Sequence, residues 1–285
     1  MTDTSLITDL PEGRIRHSWI FTIGAIIVGL HLMIGLLTLV WTPYDPTAMS
    51  GGRLEPPSFA HFAGTDRLGR DLFTLIMIGS RIALIVGTGA VIIGAIIGIT
   101  IGLLAAFASK TLDDVLAAAL DILIAFPTLL LAMLIVASSE GGSLWTAIIA
   151  IGIANSAIVA RLTRILAKRV LQMDYITASR ISGTSWLGVV MIHVLPNIWP
   201  TLLVNLALQF GLAVIAEASL SYLGLGAPPP NASWGRLLQE AQGTVYSAPF
   251  GAIAPGIALV LLVIGINLLA DGLRDIADPT RRRRR

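Results

Sequence analysis

The most constraining feature of this sequence is a series of apolar runs that are long enough to cross a lipid bilayer. About 20 apolar residues in a helix cover the roughly 30 Å of hydrocarbon in a membrane. Six segments meet or approach this length: 19–40, 82–107, 115–137, 144–160, 198–223 and 252–270. Only 13% of the residues are charged and 55% are hydrophobic, which leaves too few charges to cover the surface of a soluble protein. The sequence therefore predicts an all-α integral membrane protein with six transmembrane helices.

The distribution of lysine and arginine predicts how these spans are oriented. Of the 19 basic residues, fourteen lie on the side that carries both termini, Lys110 and the 161–196 connection, and five lie on the other side. Positive residues collect on the cytoplasmic side of membrane proteins, so both termini are expected to be cytoplasmic. The first span is expected to be retained, since acidic residues precede it and no small-residue cleavage site follows it.

Sequence motifs for catalysis or cofactor binding are absent. No glycine-rich phosphate-binding motif precedes the two lysines, Lys110 and Lys168, so no nucleotide site is expected. The histidines lack metal-ligand spacing, and His31, alone in an apolar span, is interpreted as packed or hydrogen-bonded rather than as a ligand. The chain has no cysteine, which excludes disulfides and thiolate metal sites. We expect no enzymatic activity, no cofactor in this chain and no nucleic-acid binding.

Glycine and proline mark two of the spans. Gly94, Gly98 and Gly102 recur at four-residue spacing in the second span, a pattern that lets helix backbones approach closely in lipid. They are predicted to pack against another helix, with a role in substrate passage as the alternative. Pro127 removes a backbone hydrogen bond from the third span and is expected to kink it, either for packing or as a hinge for gating.

Two acidic residues lie inside spans, where a charge is costly without a partner. Asp121 in the third span is expected to form a salt bridge with a basic residue of 161–180, or else to make a gating contact. Glu217, near the outer end of the fifth span, is expected to accept a hydrogen bond or form an ion pair, or else to line a substrate exit. Asp121, Pro127 and Glu217 are therefore candidates for pathway or gating residues.

Two longer connections, 42–80 and 224–250, lie on the outer side. The first ends in a cluster of charges that could either fasten the loop by salt bridges or dock a soluble partner. The second contains an aromatic residue of the kind typical of a membrane interface. The docking candidates are Asp66, Arg67, Arg70, Asp71 and Trp234.

The inner connection 161–196 predicts a pair of short helices between two spans. The first would end at Gly183, because glycine readily adopts the left-handed conformation that terminates helices. The second would be stopped by Pro196. Small side chains on the first helix leave room for a partner surface: Ala178, Ser179 and Ser182. Such a helix pair is suited to transmitting a push along a rigid element.

This inner segment resembles the Glu-Ala-Ala-x3-Gly-x9-Ile-x-Leu-Pro coupling motif of ABC importer permeases. Four residues fall in register with the motif: Ala178, Gly183, Leu195 and Pro196. Three positions depart from it, with Thr177 in place of Glu, Ser179 in place of Ala and His193 in place of Ile. The resemblance implies that an ATPase subunit couples to this segment through Tyr175, Thr177, Ala178, Ser179, Gly183, His193, Leu195 and Pro196.

Three further segments narrow the resemblance to the dipeptide/oligopeptide/nickel permeases. They are 64–71 together with 79–81, Asp121 together with 125–131, and 217–226 followed by 233–235. The resemblance implies a type I importer permease fold, with six transmembrane helices and a cytoplasmic coupling helix pair, in the bacterial inner membrane. It divides the chain into an N-terminal part (1–80), a transmembrane domain (81–275) and a basic tail (276–285). The tail is expected to bind anionic lipid, with recognition of the ATPase as the alternative.

The resemblance also implies a set of partners and a substrate. The partners are a second, different permease subunit, two subunits that bind ATP and Mg, and an extracytoplasmic substrate-binding protein that would dock on the outer candidates. The implied substrate is a short peptide, with nickel or a metal–chelator complex as the alternative. Rivals from other classes are an intramembrane enzyme, for which the spans hold no polar catalytic pair, and a passive channel, which would leave the inner helix pair without a role.

Overall fold

The computed structural model describes residues 19–139, 142–226, 228 and 231–277, and most of these residues are helical. Five helices are long: α1 (Trp19–Leu37), α2 (Leu72–Phe107), α5 (Leu144–Leu171), α8 (Leu195–Tyr222) and α10 (Phe250–Ala277). The shorter helices are α3 (Lys110–Ala125), α4 (Thr128–Ala137), α6 (Asp174–Ile181), α7 (Trp186–Gly188) and α9 (Trp234–Ala241). The predictions for the basic N-terminus (Arg14 and Arg16) and for the tail arginines Arg281 to Arg285 fall outside the described residues.

The described helices supply five to six membrane spans, in accord with the sequence. Five are long and apolar enough to cross a bilayer, and α3 and α4 make a sixth when taken as one span. These two helices are bent by 87°, so a complete break replaces the kink predicted at Pro127. Phe126 and Pro127 both have extended backbone, with ψ of 132° and 125°, because proline lacks an amide hydrogen and disfavours the helical conformation in the residue before it.

Two helices run further than the sequence predicted. The second span begins at Leu72 instead of Ile82, since the Asp71 carboxylate accepts a hydrogen bond of 2.7 Å from the Thr74 amide and caps the helix there. The expected division of the chain at 80/81 therefore falls inside α2. Likewise, α5 continues to Leu171, so the first third of the predicted 161–196 connection is helix rather than loop.

The centre of the bundle is the contact between α2 and α5. Gly94, Gly98 and Gly102 lie on the face of α2 that meets α5, and all three are buried. A Cβ atom on Gly98 would lie 2.7 Å from the carbonyl oxygen of Ser156, so only glycine permits this approach. The prediction that these glycines pack against another helix is confirmed.

The first helix packs on the last, and His31 lies between them. Its Nδ1 atom is 2.9 Å from the carbonyl oxygen of Ile27, and its Nε2 atom is 3.2 Å from that of Ala258 on α10. His31 is thus buried and hydrogen-bonded, as its lone position in an apolar span predicted.

Candidate coupling segment and charged clusters

The predicted inner helix pair begins with α6, which follows α5 after a short turn and ends at Gly183. This glycine has φ of +92°, the left-handed region that L-residues with side chains rarely adopt. The amide of Thr184 donates to the Ser179 carbonyl at 3.1 Å and closes the helix end. No atom lies within 4 Å of a Cβ built on Gly183, so the conformation, and not crowding, calls for glycine here. The predicted helix terminator is confirmed.

The residues predicted to contact an ATPase divide between an exposed and an inner face of this segment. Tyr175, Thr177 and Ala178 on α6 are exposed. Ile176, which sequence reasoning did not single out, is buried and packs with Val189 and Val194 beneath the helix. The only sign of this buried contact in the sequence was an apolar residue between two polar neighbours. The segment thus leaves one side exposed while the other side rests on the bundle.

The second helix of the pair differs from the prediction. After α7 the chain forms a π-helix, Val189–Val194, and passes directly into α8. Pro196 does not stop the helix, which continues from Trp186 to Tyr222. A π-helical turn, in which the amide of Leu195 bonds to the carbonyl of Val190, lies just before the proline. Leu195 and Pro196 therefore belong to the base of a membrane span. This continuity joins the inner helix pair rigidly to α8.

Ionic contacts tie α3 to α5 near the inner end of the bundle. Asp121 lies 3.2 Å from Arg161, which confirms the predicted salt bridge, although both side chains are more than half exposed. A stronger contact was missed. The carboxylate of Asp113, only 4% exposed, accepts bonds of 2.5 Å and 2.9 Å from Arg164 and is also paired with Lys168. Asp113 precedes the predicted span, and spacing within one helix gives no signal for a partner on another helix.

The outer charge cluster fastens the loop before α2 to α9. Asp66 accepts a bond of 2.6 Å from the side chain of Arg70, which also reaches Glu240 on α9 at 3.0 Å. Asp71 caps α2 and lies 2.9 Å from the Nδ1 atom of His61. Asp66 and Asp71 are buried, so their geometry favours loop fastening over docking. Arg67 alone among the four charged candidates is exposed.

The interfacial expectation for Trp234 is wrong. Its indole is 1% exposed and packs against α2, where Gly79 leaves the space it occupies. The indole N–H donates to the carbonyl of Ile76 at 3.0 Å, which satisfies its polar group inside the protein. Trp234 therefore anchors α9 on the bundle and is inaccessible to a docking protein in this structure.

Glu217 is buried near the outer end of α8, under α9. The hydroxyl of Ser221, one turn further along, donates to its carboxylate at 2.6 Å. This is the hydrogen bond expected from the sequence. Nearby, Gly235 of α9 lies directly against the backbone of Ala218, so the two helices enclose the acid.

Several buried polar atoms within the described residues have no hydrogen-bond partner. They are Asn155 Nδ2 and Thr163 Oγ1 on α5, and Asn205 Oδ1 and Gln209 Oε1 on α8. Sequence reasoning did not single out any of them, since amides and hydroxyls are common in membrane helices. No group of three or more potential metal ligands occurs among the described residues.

Comparison with known proteins places these features in a family. The family described as binding-protein-dependent transport system inner membrane component matches residues 98–283. A dipeptide transport system permease of Alkalihalophilus pseudofirmus is 37% identical over 93% of this chain and 88% of its own length. A di/tripeptide transport system permease of Pseudomonas aeruginosa is 38% identical over 98% of this chain and 95% of its own length. A glutathione transport system permease of Pectobacterium atrosepticum is 38% identical over 90% and 86%, respectively.

Solved structures support the same fold. A chain of the MetNI methionine ABC transporter, in an inward-facing conformation, matches with a TM-score of 0.60 over 72% of this chain and 97% of that chain. At 20% identity this likeness concerns the fold alone. The resemblance seen in the inner segment is thus confirmed over most of the sequence, and the relatives are transport permeases rather than enzymes. The chain belongs to the family of binding-protein-dependent transport system inner membrane components.

Proposed function

We propose that this permease forms half of the translocation pathway of an ATP-driven importer of short peptides. The observation that carries the proposal is the helix pair at the inner end of the bundle. Its first helix, α6, presents an exposed face, and its second passes through the π-helix into α8 without a break. A partner that pushes on α6 therefore acts on a membrane span. A passive channel has no use for such an element.

The energy would come from partner subunits. Two ATPase subunits bind ATP and Mg and close beneath the permease pair, and the exposed residues of 171–193 receive that movement. A second, different permease supplies the other half of the pathway. An extracytoplasmic substrate-binding protein delivers the substrate to the outer face, with Arg67 the most accessible of the charged docking candidates. Asp121, Pro127 and Glu217 remain the candidates for gating or pathway contacts.

Peptides are favoured over nickel as the substrate. The relatives compared above transport dipeptides, di- and tripeptides or glutathione, according to their names. Each aligns with at least 90% of this chain, so the likeness extends beyond the inner segment that all importer permeases share. These substrates have in common a short backbone with peptide bonds and charged ends.

The proposal is tested with the complete transporter reconstituted in liposomes. Binding of di-, tri- and longer peptides and of Ni²⁺ to the substrate-binding protein is measured first, and ATP-driven uptake of the bound compound follows. We expect uptake of a short peptide that needs ATP and all subunits, and no ATP hydrolysis by the purified permease alone. Uptake of Ni²⁺ without any peptide, or ATP turnover by this chain, would contradict the proposal.

A further inference from the structure

Two of the residues that depart from the coupling motif contact each other. Ser179, at a position where the motif has Ala, and His193, where it has Ile, lie on different elements, α6 and the π-helix. The Oγ atom of Ser179 and the Nε2 atom of His193 are 3.0 Å apart. The Ser179 hydroxyl donates its one hydrogen to Thr184 Oγ1 at 2.8 Å, so it accepts the hydrogen of Nε2. Two polar substitutions thus replace an apolar pair with a directional bond.

His193 is held firmly at the base of α8. Its carbonyl accepts a bond of 2.7 Å from the side-chain amide of Asn197, one turn further along the span. The ring of Tyr175 meets the imidazole edge-on, with 5.8 Å between ring centres. The segment around His193 is π-helical, with the amide of Leu195 bonded to the carbonyl of Val190. Short π-helical turns are frequent at functional positions of proteins.

The coupling helix rests chiefly on this π-helix. Ile176 supplies the apolar contact. Two polar contacts accompany it: the Ser179–His193 bond of 3.0 Å, and a longer bond of 3.4 Å from the Asn197 side-chain amide on α8 to the Tyr175 hydroxyl. On the side of α2, an open groove lies between α6 and the end of α2 at Leu103 to Phe107. A hydrogen bond has a preferred direction, which an apolar contact lacks. With serine and histidine at these positions, a movement of α6 along the membrane plane is therefore passed to α8 most directly through this bond. If one partner is lost, the other is left as an unpaired polar group, which weakens the contact.

We propose that the Ser179–His193 hydrogen bond is the joint through which α6 moves α8, and that these two positioning residues work as a matched pair. The proposal rests on the proposed function, since it assumes that α6 is pushed by an ATPase subunit. It assigns to the two departures from the motif one shared role. Loss of one partner leaves the other polar side chain without its bond and loosens the seat of α6, so ATP is hydrolysed without a matching movement of the span.

The test is a double-mutant cycle on the complete transporter in liposomes, scored as peptide imported per ATP hydrolysed. The variants are S179A, H193I and the double variant, with S182A as a matched control on the exposed side of the same helix. We expect each single variant to lower the ratio about three- to tenfold, as the loss of one hydrogen bond allows. The double variant should return to within about twofold of wild type, because it restores an apolar pair and leaves no unpaired polar side chain at either of the two positions.

A merely structural bond gives a different result. It would lower the amount of assembled transporter, whereas import per ATP would stay at the wild-type value in every variant, and that outcome overturns the proposal. The proposal is also overturned if the fold-loss of import per ATP in the double variant equals the product of the fold-losses in the two single variants. If H193I complexes fail to assemble, H193Q keeps a donor at this position, and it must then couple better than S179A.

The two proposals fail in distinguishable ways. If the wild-type transporter hydrolyses ATP in response to its binding protein but imports no peptide, the substrate assignment is wrong. The proposed role of the Ser179–His193 bond is then tested by measuring how strongly the binding protein stimulates ATP hydrolysis in the same variants. If the wild type imports peptide and every variant imports as much peptide per ATP as the wild type, the proposed role of the Ser179–His193 bond is wrong and the proposed function stands.

Discussion

Gly183 is the residue whose conformation decides where the coupling helix ends. We expect Gly183→Val to lower peptide uptake by the complete transporter about tenfold, because the left-handed conformation costs a residue with a side chain about 1–2 kcal/mol. A β-branched side chain is the least tolerant of that region. Relaxation of the strain would redirect α7 and weaken the stimulation of ATP hydrolysis. Uptake and stimulated hydrolysis are measured on equal amounts of inserted permease.

A second glycine offers a control for Gly183. Gly29 is exposed on α1, has helical backbone, and no atom lies within 4 Å of an added Cβ atom there. Gly29→Val introduces the same side chain away from the coupling segment without conformational strain, and should leave uptake close to that of the wild type. Normal uptake by Gly183→Val, with stimulated ATP hydrolysis intact, would show that coupling does not depend on this helix end.

At the scale of elements, the salt bridges between α3 and α5 form a matched pair of contacts with different burial. We expect Asp113→Asn to lower the free energy of unfolding by about 2 kcal/mol, because it leaves Arg164 and Lys168 without their shared acceptor. Asp121→Asn, on the same helix, should cost less than about 1 kcal/mol, since its pair with Arg161 is exposed to solvent. Denaturation of the two variants in detergent compares these costs directly. Equal losses of unfolding free energy would show that the burial of the carboxylate does not determine the cost.

The elements show how far the sequence could predict this fold. Apolar runs identified the spans, and glycine spacing identified the α2 face that meets α5, because both patterns are local to one segment. A helical run toward Arg81 was expected, but its union with the second span into one helix from Leu72 was missed, and so was the passage through Pro196, since charges and prolines at span ends look like boundaries. Asp71 in fact caps a helix, and Pro196 lies inside a continuous helix, directly after a π-helical turn.

The candidate site was predictable to a different degree. The positions of the coupling residues followed from the motif, and the turn at Gly183 followed from glycine chemistry. Contacts between elements could not be foreseen, because one sequence does not show which residues of distant segments meet. Trp234 read as an interfacial residue, yet it is buried against Gly79, and Ser179 read as a small residue, yet it bonds to His193.

For the whole molecule, the absence of cysteine makes the orientation directly testable. Phe59 in the outer loop is 99% exposed, and Ser182 is exposed beside the coupling turn. We expect a membrane-impermeant maleimide to label F59C in intact cells and to label S182C only after the membrane is opened. The cysteine-free wild type is the background control. Labelling in the opposite order would reverse the orientation and place the coupling helix outside the reach of any cytoplasmic ATPase.

The break between α3 and α4 has a consequence for how this protein can exist in a bilayer. Where a helix stops, the carbonyl groups of its last turn have no amide partners along the chain. Acyl chains offer no donors, so an interrupted helix at hydrocarbon depth is tolerated only against protein or water. Phe126 is more than half exposed in the single chain. We therefore expect that the break between α3 and α4 does not face lipid in the assembled transporter. It should instead contact the second permease subunit or the water-filled pathway between the two subunits.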